Sequence, residues 1–96
     1  MDKKLRNLRH IIFERDSYTC VLCPQRASDV HHVIARSQGG GNNPHNLVAV
    51  CRICHVVLHG TPVIGNDRLP EEARQAVLEY ICDCYAEAIE GGYFNP

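Results

Sequence analysis

An α+β fold is predicted: a short antiparallel hairpin and a short helix closed by a metal clamp, with a further helix at each end. Three observations predict it. Two Cys-x2-Cys pairs, Cys20/Cys23 and Cys51/Cys54, enclose residues 24–50, and the second pair runs directly into His55 and His59. Two β-branched runs lie between the pairs, separated by a Gly/Asn-rich reversal, so the chain must double back. Apolar residues recur at helical spacing near both ends.

A chain of 96 residues supports one domain, here 1–96, with the central motif over about 18–60 and a final helix over about 70–90. Its core is modest, since a domain this small removes only roughly 60–65% of its unfolded surface from water, and a metal crosslink contributes correspondingly more. The six cysteines favour metal over disulfides because the N-terminus, Met-Asp-Lys-Lys-Leu-Arg, lacks the apolar core of a signal peptide. A cytoplasmic location is therefore expected. No apolar run approaches the roughly 20 residues that span a bilayer, so no membrane segment is expected.

The net charge of −1 conceals an asymmetry. Residues 1–59 carry eight Lys/Arg against four Asp/Glu, hence +4, and residues 60–96 carry two against seven, hence −5. The ligand-rich half is the basic half, as a polyanion-binding surface requires, with the acidic final helix expected to face away from it, although ordinary surface solvation accounts for excesses this small equally well and four zinc-bound thiolates offset part of the positive charge.

The elements follow in order. Leu5, Leu8, Ile12 and either Ile11 or Phe13 form the apolar stripe of a helix over residues 3–16, ending near Asp16-Ser17. Cys20-Val-Leu-Cys23-Pro24 then makes the tight turn that aims two thiolates at one ion. Val30, Val33 and Ile34 favour a strand within Ala27–Ala35, Ser37-Gln-Gly-Gly-Gly-Asn-Asn-Pro44 reverses the chain, and Asn46–Val50 is the second strand. Arg52–His59 reads as a short helix stopped by Gly60 and Pro62. After a connector at 61–69, Pro70-Glu71-Glu72 opens the last helix, where proline and acids suit the first turn. Its stripe is Ala73, Val77, Ile81, Tyr85 or Cys84, and Ala88, and Gly91-Gly92 ends it before the tail Tyr93-Phe94-Asn95-Pro96.

Zinc takes four thiolates in a tetrahedron, and the two cysteine turns joined by a hairpin offer that set, Cys20, Cys23, Cys51 and Cys54. Cys82 and Cys84, on different faces of the last helix, read as core or partly exposed residues. A second metal site is expected where His31, at a strand end, meets His55 and His59, which project from one helix face. His32 leaves the strand on the opposite side and stays free of metal, so its neutral ring can take a proton from water. His10 reads as a surface residue and His45 as an exposed loop residue.

The ordered set Cys20-x2-Cys23, Asp29-Val-His31-His32-Val-Ile, Gly39-Gly40, Asn46-Leu47-Val48, Cys51-x2-Cys54-His55 and His59 resembles the HNH endonucleases of ββα-metal fold over about residues 6 to 60. The resemblance implies His32 as general base and Asn46 as the residue that braces the hairpin loop and orients that base. His31, His55 and His59 become the ligands of a catalytic divalent ion, Mg2+, Mn2+, Ni2+ or Zn2+, beside the structural zinc. Asp29 shares a strand face with His31 and is expected to orient that imidazole or to reach the metal through water. One position departs from the family pattern: the residue after Val33-Ile34, often proline, is Ala35, which permits the same extended backbone.

By the same resemblance, the chain hydrolyses DNA phosphodiesters, by nicking or double-strand cleavage, leaving 5′-phosphate and 3′-hydroxyl ends. Backbone contacts are expected from Lys3, Lys4, Arg6, Arg9, Arg15, Arg26, Arg36 and Arg52, with solvated surface roles as the alternative for Arg36. The alternative to cleavage is a zinc-stabilised module that only binds nucleic acid or protein. Small HNH proteins of phages and mobile elements are similar, and some act with DNA-packaging machinery. A packaging or other DNA-processing partner is plausible on that basis, as is the cytoplasm of a bacterial host, for a monomer or homodimer.

Overall fold

The computed structural model describes residues 3–61, 63, 65–66 and 68–85, with the side chains of residues 3–5 outside that description. Helix α1 (Lys3–Arg15) leads into the first cysteine turn. Strands β1 (Asp29–His32) and β2 (Leu47–Val50) pair antiparallel, α2 (Arg52–Leu58) follows β2 directly, and α3 (Pro70–Cys84) closes the domain. No helix among the described residues is long and apolar enough to cross a membrane.

Strand β2 positions everything else. It is buried along its whole length, and its alternation divides the core in two. Val48 and Val50 pack with Cys20, Cys51, Cys54, Val57 and Leu58 of the clamp and α2, and with the stripe Ala73, Val77 and Ile81 of α3. Leu47 and Ala49 pack on the other side with Ile12 and Ala27. Both faces are covered, so Leu-Val-Ala-Val carries no polar residue.

The register sets Asp29 opposite Val50, Val30 opposite Ala49, His31 opposite Val48 and His32 opposite Leu47. Directly opposed residues share a face. Asp29 and His31 therefore lie on the α2 side of the sheet, and His32 starts from the α1 side, as alternation predicts.

The hairpin is shorter than the expected 27–35 and 46–50. Asn46 lies in a 3-10 turn (Pro44–Asn46) instead of opening β2, and a second such turn spans Arg36–Gln38. The fully buried Asn46 side chain accepts from Ile34 N–H (2.7 Å) and donates to the carbonyls of Ile34 (3.0 Å) and Gly41 (3.1 Å). Those bonds replace the ladder, so β1 stops before Ile34 although its residues favour a strand. Gly40 fits only as glycine: a Cβ there would meet the Ile34 carbonyl oxygen at 1.8 Å and Asn46 Nδ2 at 2.8 Å.

At the end of α1, Ile12 is buried with Leu8 and Phe13 packed around it, and Ile11 is exposed, which settles the alternative left by the helical spacing. Ser17 and Tyr18 both adopt positive φ (57° and 55°), and Tyr18 N–H bonds back to Phe13 O (2.8 Å), turning the chain sharply toward Cys20.

Arg15 requires a correction. It is no free phosphate-binding cation: its guanidinium forks onto Asp16 (2.7 and 2.8 Å) and donates to the carbonyls of Pro44 (2.8 Å) and Leu47 (2.7 Å) and to Tyr85 (3.1 Å). Buried Asp16 also accepts from Ala49 N–H (2.9 Å) and the Tyr80 hydroxyl. One ion pair thus fastens α1, the hairpin loop, β2 and α3 together.

Helix α3 ends at Cys84, short of the expected residue 90, because Tyr85 leaves helical conformation (φ −125°, ψ 32°). Its ring turns in against His45, edge on, at 5.3 Å between centroids. His45 is accordingly half-buried, contrary to the exposed loop position expected of it. Cys82 is half-buried and Cys84 exposed. Ala88, Gly91-Gly92 and the tail Tyr93–Pro96 lie outside the described residues.

Candidate metal centres and catalytic cleft

The first cysteine turn is shaped by a backbone bond, Cys20 N–H to Gln25 O (2.8 Å), and by Leu22 N–H donating to the Cys20 Sγ (3.4 Å), and is docked on β2 through Val21 N–H to Ala49 O (3.1 Å). The second caps a helix, with Cys51 Sγ accepting the Cys54 N–H (3.5 Å). The four sulfurs lie within 4.8 Å of one another, with Cys23 Sγ and Cys51 Sγ 3.6 Å apart. A zinc–sulfur tetrahedron has edges of about 3.8 Å for bonds near 2.3 Å, so this donor set fits zinc.

The thiols also reflect their crowding. Burial and neighbouring thiols push Cys54 and Cys23 up, and Cys51, which burial alone would raise, is drawn below the ordinary thiol value by the Cys54 N–H and the adjacent sulfurs. Ionisation is thus favoured at Cys51 and resisted at Cys23 and Cys54. Four thiolates at this spacing require a cation.

His31, His55 and His59 form a second cluster, their ligand atoms also within 4.8 Å of one another. Helix α2 supplies His55 and its C-cap residue His59, with His55 Nε2 and His59 Nε2 3.0 Å apart, and β1 supplies His31, whose ring centroid is 5.3 Å from each. His31 is buried and its Nδ1 has no hydrogen-bond partner. Burial, then the neighbouring imidazoles His55 and His59, lowers its pKa to about 4, keeping it neutral. An uncharged buried imidazole with an orphaned nitrogen is what a transition-metal site requires.

Asp29 acts on a different ring from the one expected. Its Oδ2 is 2.8 Å from His55 Nδ1, so it orients His55 instead of His31. A carboxylate only accepts, so His55 carries its proton on Nδ1 and presents the Nε2 lone pair to the cluster. Burial alone would raise the Asp29 pKa, but hydrogen bonds from His55, Arg52 and Ser28 and the Arg52 charge hold it at about 2. Arg52 is thereby engaged: its Nε is 2.8 Å from Asp29 Oδ2.

His32 stands outside the three-histidine cluster, yet lines the same cleft of about 800 Å³, with His31, His55, His59, Arg36 and Arg74 also in its walls. Asn46 braces the hairpin loop as expected, but its side-chain bonds go to Ile34 and Gly41. The side chain that meets His32 is Asn42, with Oδ1 2.7 Å from Nε2. Among the basic candidates, exposed Arg36 lies at the cleft, and the side chains of Lys3 and Lys4 fall outside the described residues.

Two residues escape a reading of the sequence, Asn42 beside His32 and Arg74 in the cleft wall. Asn42 is indistinguishable from Asn43 in a loop where asparagine already serves the turn. Arg74 belongs to the acidic half, and its only signal is that it follows Ala73 of the buried stripe. The acidic helix is thus not wholly turned away from the site, since α3 delivers Arg74, anchored through Nε to Leu58 O (2.9 Å), to the cleft wall.

The comparison with curated proteins finds no match. The family model described as HNH endonuclease matches residues 19–61, from the first cysteine turn to just past His59. That span contains both cysteine pairs, the hairpin, α2 and all three clustered histidines, and the pairing of a two-stranded antiparallel sheet with a following helix is the ββα-metal arrangement. Residues 19–61 are thus similar to the HNH endonuclease family, both in the family-model match and in the ββα arrangement they adopt.

Proposed function

We propose that this protein is a metal-dependent endonuclease that hydrolyses DNA phosphodiester bonds. The observation that carries this reading is the convergence of His31, His55 and His59 on one point, with His32 in the same cleft and outside their cluster. The three clustered imidazoles hold one divalent ion, and Cys20, Cys23, Cys51 and Cys54 hold a structural zinc. When bound at the histidines, such an ion supplies Lewis-acid stabilisation of charge on the scissile phosphate and its leaving oxygen.

The chain's own residues do the rest. His32 takes a proton from water, the water oxygen bonds to phosphorus, and the bond from phosphorus to the 3′ oxygen breaks, the 3′ oxygen taking a proton from solvent. Arg36, from the hairpin loop, and Arg74, from α3, grip phosphate oxygens in the cleft. DNA affinity comes mainly from such backbone contacts and falls with salt.

The test is nicking of supercoiled plasmid in Mg2+, Mn2+, Ni2+ or Zn2+, beside His32→Ala. Divalent-dependent cleavage by the parent and a loss of at least about 100-fold in the variant are expected. Equal cleavage by both removes His32 as the base. DNA binding without cleavage in every metal supports the non-cleaving module instead.

A further inference from the structure

His32 is held by a side chain that the family match does not assign. Asn42 Oδ1 lies 2.7 Å from His32 Nε2, and a carboxamide oxygen has no proton to give. The contact therefore needs a proton on Nε2, which leaves Nδ1 as the one ring nitrogen with a free lone pair. A general base works from that lone pair.

The loop on both sides of Asn42 is pinned. Gly41 O accepts from the Asn46 amide (3.1 Å), and Asn43 O accepts from Asn46 N–H (3.0 Å). Asn46 is fully buried, so the segment carrying Asn42 is referenced to the core. The orientation of the base expected of Asn46 is thus exerted at one remove, through the loop that it fastens.

We propose that Asn42 is a positioning residue that holds the His32 ring by its Nε2–H and makes Nδ1 the atom that receives the water proton. This rests on His32 being the base. Asn42 touches neither substrate nor metal in this scheme; it acts only through His32.

Two readouts test it separately. In the zinc-loaded protein without a second metal, the ring 15N shifts of His32 at pH 8, read through its carbon-bound protons, report which nitrogen is protonated. An Nε2–H ring is expected in the parent and in Asn42→Asp, which keeps the acceptor, with a shift toward averaged tautomers in Asn42→Ala. Protonation on Nδ1 in the parent, or ring shifts unmoved by Asn42→Ala, overturns the proposal whatever the chemistry of cleavage.

In the nicking assay, Asn42→Ala is expected to lower kcat at least about tenfold with little change in KM, and Asn42→Asp to restore most of it. In a His32→Ala background, Asn42→Ala is expected to cost nothing further. An additive loss there overturns the proposal. Undiminished cleavage by His32→Ala itself instead removes the base assignment, and the ring shifts still decide whether Asn42 holds the tautomer.

Discussion

At the scale of single residues, the hairpin loop is governed by backbone positions that admit few side chains. Ala35, where the family pattern often has proline, sits at φ −59° and ψ 145°, and its N–H makes no hydrogen bond among the described residues, while its carbonyl accepts from Gln38 and Gly40. Proline fixes φ near this value and lacks only the N–H that Ala35 leaves unused. Ala35→Pro is therefore expected to stabilise the fold by about 0.4–1 kcal/mol, through the unfolded chain's lost freedom, with cleavage unchanged. Chemical denaturation checks it; a lower midpoint shows that the loop relies on freedom at this residue. The residues of the two donor clusters were legible in the sequence because metals demand particular donor types at particular spacings. Asn42 was not, because one hydrogen bond to a ring depends on the loop's path and leaves no periodic trace.

At the scale of elements, α2 is a seven-residue helix that serves both candidate metal centres at once, with Cys54 in the four-cysteine cluster and His55 in the three-histidine cluster. Its C-terminal end is held by α3, where Arg74 Nε bonds to Leu58 O. The Arg74 guanidinium then has its remaining N–H groups for the cleft. Arg74→Ala is expected to raise KM for DNA several-fold and to reduce the slope of log affinity against log salt by about one, as the loss of one phosphate contact does. An unaltered slope would confine Arg74 to a structural role. The existence and order of α1, the hairpin, α2 and α3 were readable from apolar period and turn residues, whereas their ends were not. Asn46 cuts β1 short with side-chain bonds, and Tyr85 ends α3 by turning toward His45 and Arg15; both are tertiary contacts that override local preference.

At the scale of the whole molecule, neither half of the core stands alone. Among the described residues, the cluster behind β2 contains four buried residues, Ile12, Ala27, Leu47 and Ala49, and the larger cluster in front is built around three of the four clamp cysteines. Apolar burial and the cysteine cluster therefore belong to one packed unit, joined across β2 by the Arg15–Asp16 pair. The thiols at the clamp resist shared ionisation without a cation, so removing zinc leaves Cys54 and Cys23 protonated, Cys51 crowded, and the two turns without a tie. About one zinc per chain is expected to survive mild chelation that strips the more exposed histidine cluster and abolishes cleavage while leaving the helical circular dichroism intact. A strong chelator is then expected to collapse that signal in a single transition, with refolding on added zinc. Metal analysis and circular dichroism on the same samples separate the two centres: if helicity outlasts complete loss of zinc, apolar packing alone holds the hairpin against α2, and the clamp is dispensable to the fold.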